Sequence, residues 1–108
     1  MNIPKSLKIG GHNYEIVFPY VFTERSDITG QNDFNGKVIR VCDSVDDEKR
    51  SDSAIVVTLI HEVLHALDHN TGQRMFMGDN GETKIEALSE GIYQVLADNG
   101  YLKEKEAQ

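Results

Sequence analysis

Apolar and polar positions alternate early in the chain, then switch to a helical rhythm about halfway along it. Residues 7–18 form two short alternating runs on either side of Gly10-Gly11, a two-residue turn signal, and so predict a β-hairpin. Residues 19–35 hold Pro19, Gly30, Asn32, Asp33 and Asn35, the chemistry of a loop. Lys37-Val38-Ile39-Arg40-Val41-Cys42 alternates again and is rich in β-branched side chains, which predicts a third strand. Residues 43–52 are polar and acidic. Ser51 or Asp52 stands where a cap would begin the next element, and acids there suit the positive end of a helix.

That next element is a helix from about Ser53 to His69, led by the run Ile55-Val56-Val57-Thr58-Leu59-Ile60 and stopped near Asn70 and Gly72. Gly72, Gly78 and Gly81 mark a flexible link. A second helix is expected from about Glu82 to Asp98, stopped by Asn99-Gly100, because Ile85, Leu88, Ile92, Val95 and Leu96 fall at helical spacing. The expectation is one α+β domain over residues 1–108, a small three-stranded antiparallel sheet followed by two helices.

Composition narrows the class. A chain of 108 residues has room for one modest core, and 27% charged with 39% hydrophobic residues is ordinary for a globular protein. A formal net charge of −7 argues against nucleic acid as a partner and against an anionic membrane surface. The end of the chain, Lys103-Glu104-Lys105-Glu106, alternates in sign like a solvated tail. One cysteine, Cys42, excludes an internal disulfide and fits a reducing compartment. Residues 1–6 show no hydrophobic signal region, and no run approaches bilayer-spanning length. A cytoplasmic protein, bacterial or phage, is the expectation.

The chemistry is concentrated in His61-Glu62-Val63-Leu64-His65, the H-E-x-x-H pattern, inside the first helix. Histidines four apart lie one above the other on a helical face, so both imidazoles can reach one metal ion. Glu62 stands beside that ion, where it can take a proton from water. A catalytic zinc takes three protein ligands. The second helix offers Glu82, Glu86 and Glu90 on one face for the third; Glu82 competes with Glu86, its other reading being a first-turn acid stabilised by the helix dipole. His69 is excluded: it lies ~12 Å from His61 along the axis at about 1.5 Å per residue, and a charge at the helix end is its plainer role. Asp68 reads as solvated. Cys42 as a fourth ligand competes with the simpler reading of a small buried strand residue.

Glu86-Ala87-Leu88-Ser89-Glu90 resembles the E-A-x-S-D/E segment on the second zinc helix of thermolysin-like peptidases, the gluzincins. With H-E-x-x-H the resemblance covers both helices, roughly residues 58–100. It implies Zn2+ held by His61, His65 and Glu86, with Glu90 hydrogen-bonding a ligating histidine and Glu62 as the general base. The short chain, with strands before the H-E-x-x-H helix, is also similar to minimal phage and ImmA/IrrE-type metallopeptidases. That similarity places residues 37–42 as the edge strand that pairs with an extended peptide. A metzincin would need a histidine at Thr71. The large C-terminal domain of full thermolysins, which supplies a histidine for the transition state, has no counterpart in the resemblance. Tyr93, Tyr14, His12, Tyr20 and Tyr101 are open for that electrophilic role, with packing as the simpler assignment.

The expected function is therefore a zinc peptidase acting on a protein or peptide in extended conformation. The rival reading is a non-catalytic protein whose zinc ties two helices together while its surface binds a partner. Hydrolysis of a non-peptide amide or ester would use the same constellation.

Overall fold

A computed structural model describes residues 2–23, 25 and 27–102. Met1 and the sign-alternating tail at Lys103–Glu106 lie outside the described residues. The strands are β1 (Ser6–Ile9), β2 (His12–Val17), β3 (Gly30–Asp33), β4 (Val38–Val41), β5 (Ser44–Val45) and β6 (Glu48–Lys49). Two helices follow, α1 (Asp52–Thr71) and α2 (Gly81–Asp98).

The β1–β2 hairpin forms where the pattern placed it. Gly10 and Gly11 both take positive φ, 57° and 84°, the conformation a two-residue hairpin turn requires. The sheet itself differs from the expectation. It has four strands in the order β1-β2-β4-β3, and β4 pairs with β2 in parallel, Ile16 opposite Ile39. The extra strand is β3, from a segment that reads as loop. Its residues Gly30-Gln31-Asn32-Asp33 have little intrinsic strand preference, yet they pair antiparallel with β4, Asn32 opposite Ile39. The tight β3–β4 turn is fastened by the Gly36 N–H donating to Asp33 Oδ1 at 2.8 Å. Consequently β4 is an inner strand, and the edge beside α1 belongs to β3 rather than to residues 37–42. β5 and β6 form a separate small ribbon.

The core lies between one sheet face and α1. Ile9, Tyr14, Ile16, Ile39 and Val41 meet Ile55, Leu59 and Ala66 there. Tyr14 is fully buried, and its hydroxyl accepts from Asn70 Nδ2 at 3.0 Å, which satisfies the polar tip. It is a packing residue. α1 starts at Ser51, whose Oγ caps the Ala54 N–H at 3.2 Å, and ends at Gly72 in the left-handed conformation. α2 packs on α1 through Gly81, Ile85 and Ser89, all buried. Among the described residues no helix is long and apolar enough to cross a membrane.

β3 runs beside α1 in the same direction. Gly30 lies against Thr58 and Glu62, Asn32 against the Glu62 carbonyl, and the Phe34 ring against His69.

Candidate metal centre

Four-residue spacing on α1 stacks His61 and His65 with their Nε2 atoms 3.2 Å apart. The first turn of α2 delivers a carboxylate to both. Glu82 Oε1 is 2.8 Å from His65 Nε2, and its Oε2 is 3.3 Å from His61 Nε2. Two nitrogens held at about 2.1 Å by one tetrahedral ion stand roughly 3.4 Å apart, so the spacing of the pair already suits a shared ion. Two imidazole nitrogens and one carboxylate are also a donor set common at catalytic zinc. Among the described residues these three side chains are the grouping able to hold a metal ion.

The carboxylate brought to the histidines is thus Glu82, where the resemblance implies Glu86. Glu86 and Glu90 lie further along α2 and line the same cleft, and the Glu86 charge is felt at His61. Neither hydrogen-bonds a histidine ring among the described residues. The physical reason is the docking of α2, which crosses α1 with its first turn rather than its second at the histidine pair.

That first turn is set by the link before it. Asp68 is buried, contrary to its reading as a solvated residue. Its two carboxylate oxygens accept the N–H groups of Met75 at 2.7 Å and Phe76 at 3.0 Å. The Phe76 carbonyl in turn rests so close to Gly81 that a Cβ built there would stand 1.8 Å from the oxygen. Residues 73–80 therefore form a folded clasp, and Glu82 follows directly from it.

Glu62 is buried on α1 beneath β3. Burial, followed by the nearby Glu82 charge, pushes its carboxyl up to about 7, and hydrogen bonding from Asn32 offsets part of this. Asn32 Nδ2 also donates to the Glu62 backbone carbonyl at 2.6 Å. Its Oδ1 is buried without a hydrogen-bond partner among the described residues. His61 is held below the usual imidazole range, chiefly by burial and against the pull of the Glu82 charge.

A cleft of about 930 Å³ opens over these groups, bounded by Gly30, Gln31 and Asn32 of β3, the Thr58–His65 face of α1 and the start of α2. Asn32 and Arg50, both part of its lining, were not legible as site residues. Asn32 sits in a segment that reads as loop, and Arg50 in a polar run before a helix. Cys42 is buried and lies 3.8 Å from Arg50 Nη1, outside the metal grouping. His69 stacks on Phe34 with centroids 4.1 Å apart. Tyr20 packs on Phe22, Tyr101 is exposed, and His12, also exposed, starts β2; Tyr93 is half-buried on α2, and none of the four lines the cleft.

Comparisons with protein-family models, with curated proteins and with solved structures find no match to this chain.

Proposed function

We propose that this protein is a zinc-dependent peptidase that hydrolyses an extended peptide. The observation that carries the reading is the convergence of His61, His65 and Glu82 beside the buried carboxyl of Glu62, in a cleft bordered by a free strand edge. Zinc held by those three side chains would lower the pKa of water toward ~7 and polarise a carbonyl oxygen.

The rest is the work of the chain's own groups. The outer edge of β3, unpaired among the described residues, offers main-chain donors and acceptors on which a peptide adds as a further strand. The Glu62 carboxylate accepts a proton from water as the water oxygen adds to the carbonyl carbon. It then gives that proton to the amine nitrogen as the C–N bond breaks, so one water is consumed and Glu62 is regenerated.

The experiment is metal analysis by mass spectrometry on the parent and on His65→Ala and Glu82→Ala, with peptide-library cleavage by the parent and Glu62→Gln. One zinc per chain, lost in both ligand variants, and cleavage by the parent alone support the reading. A parent that holds no zinc overturns it. One observation favours the rival interaction protein: Leu88 and Val95 leave an apolar stripe exposed on α2. Zinc binding without cleavage, and with equal behaviour of Glu62→Gln, would favour that alternative.

A further inference from the structure

The cleft contains a positive charge that the hydrolytic chemistry does not use. Arg50 is half-buried just before α1 and lines the same cavity as His61, Glu62 and His65. Its guanidinium donates to the Cys42 carbonyl at 2.9 Å, the Ala54 carbonyl at 3.0 Å and the Thr58 hydroxyl. All three acceptors are neutral. Among the described residues no carboxylate pairs with Arg50, whereas Arg25, the other arginine of the cleft, is paired with Asp27 at 2.9 Å. The helix N-terminus beside Arg50 adds positive potential of its own. A guanidinium fixed by these three oxygens and by Cys42 Sγ at 3.8 Å, from the β4–β5 turn and α1, keeps Nε–H for a ligand and has little rotamer freedom left to lose when it receives one.

Its position relative to Glu62 has a direction. Antiparallel pairing is the commoner arrangement of neighbouring strands, and a peptide added in that sense to the edge of β3 would run from Phe34 and His69 toward Gly30, because β3 runs the other way. Its C-terminal part therefore points to the Arg50 end of α1. Thr58, which holds Arg50, precedes Glu62 by one turn, about 6 Å along the axis. Extended chain covers that in roughly two residues.

We propose that Arg50 selects substrates that carry a carboxylate one or two residues beyond the cleaved bond, on the side of the leaving amine. The inference rests on the peptidase reading for the meaning of that side. The carboxylate is either the free end of the substrate or an Asp or Glu side chain. The free end would make the enzyme a remover of C-terminal residues, the side chain an endopeptidase with acidic preference.

Three acetylated alanine tetrapeptides separate these cases: one with a free C-terminus, its C-terminal amide, and an amide with Asp as third residue. Each is titrated into 15N-labelled zinc-loaded protein that carries Glu62→Gln to prevent cleavage, following the Arg50 Nε–H and Thr58 amide signals, with Arg50 kept as in the parent, Arg50→Gln or Arg50→Lys. The parent should bind a carboxylate-bearing peptide at least ~10-fold more tightly than the plain amide, as expected of a charge-assisted hydrogen bond. Arg50→Gln should erase the preference while keeping its zinc, and Arg50→Lys should keep part of it. Which carboxylate peptide gains identifies the source. Equal binding of acid and amide overturns the proposal, as does a preference that survives in Arg50→Gln. Should Arg50→Gln not fold, Thr58→Val removes one anchor, and an undiminished preference there counts against Arg50. A parent without zinc sinks the peptidase reading alone, because the same titration of the metal-free protein still decides whether Arg50 reads the carboxylate.

Discussion

His65 Nε2 and Glu82 Oε1 stand 2.8 Å apart, a contact between two helices across seventeen residues of sequence. It brings one acid of α2 to the histidine pair, and the proposed third ligand is therefore Glu82. Glu82→Gln should lose zinc or bind it at least ~100-fold more weakly, because a neutral amide is a poor substitute for a carboxylate ligand. Glu86→Gln should hold zinc within a few-fold of the parent. Zinc titration against a competing chelator measures both. The reverse order would return the third position to Glu86.

The burial of Glu62 makes a statement about pH. Its folded pKa of about 7 lies above the ordinary 4.5. Between those values the folded metal-free protein keeps a proton that the unfolded chain has released, so this group's contribution falls as pH rises through the window. Above about 7 the full penalty is present, on the order of 3 kcal/mol at about 1.4 kcal/mol per unit. Glu62→Gln removes it. Thermal melts of the metal-free pair should therefore coincide near pH 4 and diverge toward pH 7, with the Gln variant the more stable. His61, whose lowered pKa costs stability on the acid side, is common to both proteins and cancels in the difference.

The clasp ahead of α2 should be equally testable. Asp68 accepts two backbone N–H groups with its buried carboxylate, and Gly81 gives the Phe76 carbonyl room that a methyl would take. Asp68→Asn keeps the size but turns one acceptor oxygen into a donor facing an N–H. A loss of about 1.5–3 kcal/mol is expected, with weaker zinc binding because Glu82 is no longer held. Gly81→Ala should act in the same sense. Chemical denaturation with and without zinc distinguishes positioning from simple stability: the gap between the two midpoints should shrink in both variants.

Local signals in the chain announced what local physics decides. The Gly10-Gly11 turn, the Ser51 cap, the Gly72 stop and the one-faced pair His61 and His65 each depend on neighbours within a turn or two, and each stands as the pattern suggests. What escaped depends on contacts distant in sequence. β3 is a strand because β4 and α1 lie beside it, against the weak preference of Gly30-Gln31-Asn32-Asp33. β4 lies parallel to β2, with β3 beyond it at the edge, a topology that no alternation pattern records. Glu82, Glu86 and Glu90 share one helical face, so spacing alone cannot rank them. The choice was made by the Asp68 clasp, through an aspartate that reads as an ordinary surface residue near a helix end.

The approach of β3 to Glu62 leads to the sharpest separation of binding from chemistry. A Cβ on Gly30 would stand 2.7 Å from Thr58 Cγ2, 2.9 Å from Glu62 Oε2 and 3.2 Å from Glu62 Cγ. Gly30→Ala must therefore push the Glu62 side chain or the strand edge. The Nε2 atoms of His61 and His65 face Glu82 instead, and should feel little of it. The expected result is zinc affinity within about threefold of the parent, a stability loss of roughly 1–3 kcal/mol from overpacking, and kcat reduced at least ~10-fold. Thr58→Ser in the same chain deletes the methyl and keeps the hydroxyl that anchors Arg50, so it relieves one clash and leaves the other. The double variant should recover much of the stability and little of the kcat. Recovery of both in parallel would mean that Gly30 serves packing alone, and that the carboxyl of Glu62 need not stand where β3 holds it.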